Sequence, residues 1–337
     1  MATLVPSRSR APLPIDVDVI TTPEEKPWRV IARRFLRHRM AVVSLALMLV
    51  LILAAVFVKQ LAPFERDEIR VGDYFLPAGT VDQATGRVHY LGTDHLGRDY
   101  FTRMLYAART SLTVAFTSVT IAVLLGVLVG AVAGYYQGMV DGILMRVVDF
   151  LLTLPDIPIL LIVSSMLLQN ENAIPLPKLL LDLMGKVMLL TPNEARNAVI
   201  IILVLAGLGW MGVARLMRGQ VLSLRNQPFI EAAHALGASD AYIIFRHLIP
   251  NAMAPIIVTA SLALGGTLIA EAILSFLGFG IQDPIPTWGN MLYATRAYMT
   301  LRLWLPIMVG SPIFICSLAI NFIGDGLRDA LDPRLKR

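Results

Sequence analysis

Residues 218–251 read RGQVLSLRNQPFIEAAHALGASDAYIIFRHLIPN, and long apolar runs flank them on both sides. Pro228 suits the first turn of a helix, where its missing N–H would have no partner anyway. Phe229 to Leu236 then form a short helix, and Gly237 is placed to end it in the left-handed conformation. Ser239 is a good N-cap for a second helix over Asp240–Leu248, and Pro250 is expected to stop that helix. The segment is therefore predicted to be two short helices joined by a tight glycine turn. Helices this short are marginal alone in water. The small side chains of Ala232, Ala233 and Ala235 allow another surface to approach closely, so the segment reads as a docking element.

The flanking runs belong to a larger pattern. A transmembrane helix needs roughly 20 mostly apolar residues to cross about 30 Å of hydrocarbon. Six stretches qualify: 40–58, 111–134, 147–168, 198–216, 253–276 and 303–323. Prolines 155, 158, 255, 306 and 312 fall inside them, and neighbouring helices can re-satisfy the carbonyls they free. The composition agrees. Of 337 residues, 56% are hydrophobic and 16% charged, with a mean hydropathy of +0.67. A soluble domain carries about 25% charged residues. The fold class expected is all-α and polytopic, with six membrane-spanning helices. The net charge of +5 is read as basic membrane-facing loops and not as a nucleic-acid surface. A lone Cys316 allows no internal disulfide and no cysteine-based zinc site. The first span is too long and starts too late for a signal peptide.

Orientation follows lysine and arginine. Arg29, Arg33, Arg34, Arg37 and Arg39 precede the first span and place the N-terminus in the cytoplasm. Six crossings then bring Arg328, Arg334, Lys336 and Arg337 to the same side, where 17 of the 29 Lys and Arg fall against 12 on the other. The chain divides into a proline-rich tail (1–27), expected to be disordered, an interfacial amphipathic helix (28–39) with Trp28, Ile31, Phe35 and Leu36 toward lipid, and the first span (40–58). An outer loop (59–110) follows, then a five-helix core (111–323) containing the cytoplasmic loop 217–252, then a cytoplasmic C-terminal tail (324–337).

Catalytic motifs are missing. There is no G-x-x-x-x-G-K-[ST] phosphate loop and no H-E-x-x-H, so the chain is not expected to be an enzyme by itself, nor to bind a cofactor or metal. Gly207, Gly209 and Gly212 match G-x-G-x-x-G, but inside an apolar span, where close helix packing is the simpler use. Gly126, Gly130 and Gly134 line one face of the second span and allow close approach of another helix. Three acidic residues fall in or near spans, where an unpaired charge costs about 2.5–3.5 kcal/mol. Asp149 and Asp156, seven apart, share one side of the third span. They are candidates for a translocation pathway, with a local Arg146–Asp149 pair as the simpler reading of Asp149. Glu271, the third candidate, is placed near the outer end of its span, within reach of water. In 91–99, LGTDHLGRD, one histidine and two aspartates are too few for a metal site. A polar turn with local ion pairs suffices, and contact with a partner is the alternative.

The 218–251 segment resembles the EAA loop of bacterial ABC-importer permeases: E-A-A, three residues, G, nine residues, I, any residue, L-P. Here Glu231, Ala232, Ala233 and Gly237 keep the spacing, while His247 stands at the isoleucine position and Ile249-Pro250 stands for Leu-Pro. LGTDHLGRDYFTRMLYAARTSL (91–112), DGILMRVVDFLLTLP (141–155), EAILSFLGFGIQDPIPTWGNML (271–292) and GDGLRDALDPRLK (324–336) are similar to the dipeptide/oligopeptide (and nickel) branch, C-type subunit. The resemblance covers 28–337 and implies the type I ABC-importer permease fold. It implies a heterodimer of two homologous permeases, two ATP-binding subunits that hydrolyse ATP with Mg, and an extracytoplasmic substrate-binding protein. It places the EAA helix in a groove on the ATPase, with Glu231, Ala232, Ala233, Ala235, Leu236, Gly237, Arg246 and Pro250 as the coupling residues. Selection among dipeptides, longer peptides, nickel complexes, glutathione or sugars is credited in that family largely to the binding protein. Outside it, three readings compete: a proton-coupled secondary transporter relaying through Asp149, Asp156 and Glu271, a membrane scaffold without flux, and a DNA-binding helix-turn-helix. The last is disfavoured because the loop is pinned between two spans and offers only Arg246 and His247 as evident nucleic-acid ligands.

Overall fold

A computed structural model describes residues 27–170 and 174–331. The expected disorder of the tail falls on residues 1–26, outside the described residues, as does the end of the chain beyond Leu331.

Helix α1 (Pro27–Arg37) leads into α2 (Arg39–Val56) and the single turn α3 (Val58–Leu61). A loop with one two-stranded antiparallel hairpin, β1 (Thr80–Val81) and β2 (Val88–His89), precedes the long α4 (Tyr100–Tyr136). Then come α5 (Gly138–Leu152), α6 (Asp156–Gln169), α7 (Lys178–Met188) and α8 (Pro192–Leu224). The chain closes with α9 (Pro228–Ala235), α10 (Asp240–Tyr242), a π-helical segment Ile243–Leu248, α11 (Ile249–Phe276), α12 (Trp288–Thr295) and α13 (Trp304–Leu331). Among the described residues, five helices are long and apolar enough to cross a membrane, and α5 with α6 makes a sixth crossing if that bent pair is one span.

Helix-on-helix register shows how these spans run. A Cβ on Gly126, Gly130 or Gly134 of α4 would press on the carbonyl oxygens of Trp210, Ala214 and Arg218 of α8, in that order. Both numbers rise together, so α4 and α8 are parallel neighbours. The chain between them must return through the bundle, and α5 and α6 make that return. The glycines thus act as expected, as a close-packing face within the bundle. Of the G-x-G-x-x-G string, only Gly209 packs, against the Cβ of Ala122. Gly207 and Gly212 face open space.

α11 and α13 are antiparallel, because Gly265 meets Ser317 while Gly324 meets Leu262. The end of α13 therefore lies at the start of α11, on the face that also carries residues 225–242. The start of α2 joins it there, since Gly326 packs on Ala41 and His38 lies 4.0 Å from Asp329. We term this the loop face and the other the far face. Large apolar side chains such as Val43, Leu49, Val50, Leu124, Ile307 and Phe314 are exposed around the girth. In water that would be costly; in hydrocarbon it is the expected surface.

Several expected boundaries differ. The third span is not one helix over 147–168. Its two halves meet at 93°, because Pro155 lies in the break and drives Leu154 out of helical backbone, while Pro158 sits in the first turn of α6, where a proline is tolerated. Pro250 does not stop a helix: α10, the π segment and α11 form one apolar helix over Asp240–Phe276. The π segment runs directly into Pro250, where its wider turn relieves the clash between the proline ring and the preceding carbonyls. α13 continues to Leu331, so residues 324–331 are helix and not tail. Phe35 does not face lipid, because its ring packs against Gly326.

Candidate functional site

The loop face carries a lever-shaped hairpin of two short helices. Pro228 occupies the first turn of α9. Gly237 ends the turn with φ +79°, and Ala238 N–H returns to Ala233 O at 3.0 Å. Ser239 caps the next helix by accepting from Tyr242 N–H. Ile230 and Ala233 are buried against α4 and α8, in a cluster with Val127, Met217, Val221 and Ile243. Glu231, Ala232, Ala235, Gly237, Arg246 and Pro250 are exposed, and Leu236 is 89% exposed. Of the eight predicted coupling residues, only Ala233 turns inward. Phe229, Tyr242 and Phe245 add exposed apolar surface.

The sequence did not reveal how the lever is fastened. Tyr135, at the end of α4, donates its hydroxyl to Asp240 at 2.7 Å. Arg225 donates to the Tyr135 carbonyl at 2.7 Å. The loop is thus continuous with α8 and α11 and bonded to α4, which ties it to three spans. Only the aromatic residue at a helix end hinted at this, and its partner lies 105 residues away.

The three acidic candidates have separate fates. Asp149 pairs with Arg215 of α8 at 2.5 Å, and not with Arg146. Both side chains are more than half exposed within the apolar girth, where a pair must face water or protein. Asp156 does not share its side, because the 93° break intervenes. It opens α6 and lines a cleft of about 350 Å³ with Leu205, Gly209, Gly266 and Thr267. Glu271 is beyond the reach of water, fully buried. Its carboxyl accepts from Ser111 of α4 at 3.1 Å and from Ser275 at 2.8 Å. Those hydroxyls in turn accept from Trp288 N–H and Ile281 N–H. Glu271 therefore organises the far-face loop 277–287. Glu271→Gln, which can still accept, is expected to keep the fold. Glu271→Leu strands two buried hydroxyls at about 1–3 kcal/mol each, and thermal unfolding should register the drop.

The far face holds a charge network larger than local pairs. Arg98 bonds Asp94 at 2.8 Å and Asp283 at 2.9 Å. Arg103 reaches Asp283 at 2.7 Å and Asp67 at 3.1 Å, and Arg66 reaches Glu194 at 2.6 Å. Burial alone would raise the Asp283 carboxyl, but the hydrogen bond from Arg98 and the charges of both arginines hold it below its ordinary value. His89 and Asp99, both buried, lie 2.9 Å apart, and Phe64 stacks on the imidazole. The network thus clasps loop 64–99 to loop 277–287 and to the start of α8, and Arg98 is the contribution of the LGTDHLGRD segment. Among the described residues no three His, Cys, Asp or Glu side chains converge to hold a metal ion.

Residues 126–337 match the family described as binding-protein-dependent transport system inner membrane component. Residues 26–78 match the N-terminal TM domain of oligopeptide transport permease C. The chain is 36% identical over 310 residues to the glutathione transport system permease protein GsiD of Pectobacterium atrosepticum, covering 92% of each. It is 36% identical to the dipeptide transport system permease protein DppC of Alkalihalophilus pseudofirmus, over 92% of this chain and 91% of that one. GsiD of Salmonella typhimurium is 37% identical over 92% and 91%. A solved amino acid ABC transporter is similar over 68% of this chain and 94% of that chain, at 17% identity and a TM-score of 0.48.

Proposed function

Because the chain belongs to the family of binding-protein-dependent transport system inner membrane components, and is an ABC-importer permease, we propose that it forms half of a peptide-conducting pathway. A second homologous permease forms the other half, two ATP-binding subunits drive the pair, and an extracytoplasmic binding protein delivers the substrate. The single observation that carries this reading is the exposed α9, held through Gly237 and Tyr135 to three spans at once. A docking helix so fastened can turn motion of a partner into motion of the pore. Glu231, near the N-terminal end of α9, contacts the ATPase in this scheme. The chain itself hydrolyses nothing; ATP and Mg belong to the partner.

The bilayer is the inner (cytoplasmic) membrane, with the loop face toward the cytosol. The arginines of α1 support that orientation, since α1 packs on α13 at the same face and basic segments favour the cytoplasmic side. Peptides are the substrate class we favour. Relatives at 36–37% identity are named for dipeptide and for glutathione, and glutathione is itself a tripeptide. Asp156 and its cleft, together with the Asp149–Arg215 pair, form polar surface along the pathway.

Proteoliposomes holding the chain with its partner subunits, supplied with the binding protein and labelled dipeptide, should accumulate peptide only when ATP is present. Uptake driven by a proton gradient alone, with no ATP, would reverse the reading in favour of a secondary transporter.

A further inference from the structure

We propose that the far face carries a site for one anionic phospholipid, its headgroup at Arg109 and an acyl chain in the groove between α2, α4 and α7. The groove measures about 380 Å³ and is lined by Ile52, Leu112, Thr113, Phe116 and Val187. Arg109 stands at its far-face end, one turn of α4 above Leu112 and Thr113. The guanidinium is fixed in place by neutral groups only. Nε donates to Val187 O at 2.6 Å, and Nη1 donates to Ala55 O and Val56 O at 3.0 and 2.9 Å. The last two are carbonyls at the end of α2, so the arginine caps that helix. Among the described residues no carboxylate pairs with it, and its Nη2 remains available to an anion.

Two more cations flank the groove. Lys186 adjoins Val187 and Lys59 lies three residues past Val56; both are exposed, and among the described residues neither forms an ion pair. Glu65, Asp182 and Glu194 line the neighbouring cavity with them, but so do Arg66 and Arg87, so with Arg109 the patch stays net positive. α7 supplies the depth. Leu179, Leu183 and Val187 form an exposed apolar stripe along it, while Gly185 and Met188 are buried on the opposite side. A helix of this kind lies in the interface, its stripe in the acyl boundary and its lysines among headgroups. An apolar slot that opens at that depth beneath three cations matches a charged head with a hydrocarbon tail. A bare anion would leave the slot empty.

Native mass spectrometry of the whole complex, released from nanodiscs of phosphatidylglycerol and phosphatidylcholine, reads the site. We expect retained phosphatidylglycerol in preference to phosphatidylcholine. Lys186→Gln and Lys59→Gln should each weaken retention about fivefold, as expected for a cation near an anionic lipid. Thr113→Trp fills the slot with every charge intact and should also release the lipid. Equal retention of the two lipids overturns the proposal. So does retention unmoved by Thr113→Trp, or displacement by inorganic phosphate, which marks a bare anion site. A cross-link from Thr113→Cys to the partner permease also overturns it, because protein then occupies the groove.

Discussion

Glu231→Lys is expected to abolish ATP-driven uptake while leaving the permease inserted and folded. Glu231 is exposed in the first turn of α9, so nothing inside the bundle needs its carboxylate. A lysine there meets the positive end of the helix, at a cost of about 0.3–1 kcal/mol. That is too little to unfold the loop, whose inner side is held by Ile230 and Ala233. Loss of transport in this variant therefore measures a lost contact. Copurification should fall in parallel, with the ATP-binding subunits no longer retained. Glu231→Gln separates the two roles of the residue. If the carboxylate serves only the helix end, the glutamine variant transports almost normally; if it meets a cation on the ATPase, uptake drops severalfold. Gly237→Val attacks the same lever from its hinge. Nothing lies within 4 Å of a Cβ built there, but φ is +79°, and a β-branched residue in that region is strained by roughly 1–3 kcal/mol. The turn should reopen and α9 should swing from its seat. Full uptake by both Glu231→Lys and Gly237→Val would sink the lever mechanism.

What the sequence disclosed, and what it hid, divides by range. Pro228, Gly237 and Ser239 act through neighbours a few residues away, so the hairpin of the loop was legible to within a residue or two. The alanine and glycine spacing was legible for the same reason: a helix repeats its face every three or four residues. Pro250 misled because its effect depends on the turn before it, and a π-helical segment lets the helix pass. The 93° break in the third span undid the seven-residue spacing of Asp149 and Asp156, since a shared face requires a continuous helix. The partners of charged groups were the least readable. Asp149 found Arg215, and Arg98 and Arg103 found Asp283, 185 and 180 residues distant. QDPIPTWG contained that aspartate in plain view, but no local rule joins it to LGRDYFTR. Glu271 was singled out by the cost of charge in a span, yet that cost is equally met by two buried serines. The cost identifies a constrained residue without saying whether the constraint is transport or architecture.

The close approach of α4 and α8 yields the second large effect. Gly130→Ala should destabilise the permease by about 1–3 kcal/mol, the usual range for overpacking, and Gly130→Val by more. The Cβ of an alanine at 130 would collide with Ala214 O and sit 2.8 Å from the Cβ of Met217. The first obstacle is backbone, which cannot rotate aside, so the two helices must separate. Separation would also pull at Gly126 and Gly134, whose Cβ positions meet Trp210 O and Arg218 O at 2.6 and 2.9 Å. The cluster beneath includes Val127, Ala131, Met217 and Val221 together with Ile230 and Ala233 of the loop. A shift between α4 and α8 therefore reaches the lever as well as the pore. Gly219 supplies the control on the same helix pair. Nothing lies within 4 Å of its Cβ position, so Gly219→Ala should be neutral, or stabilising by up to about 1 kcal/mol through helix propensity. Thermal unfolding of the two alanine variants in one detergent decides the matter. If Gly130→Ala and Gly219→Ala unfold at the same temperature, the two helices are not held at backbone contact, and the parallel α4–α8 pair loses its place as the axis of the fold.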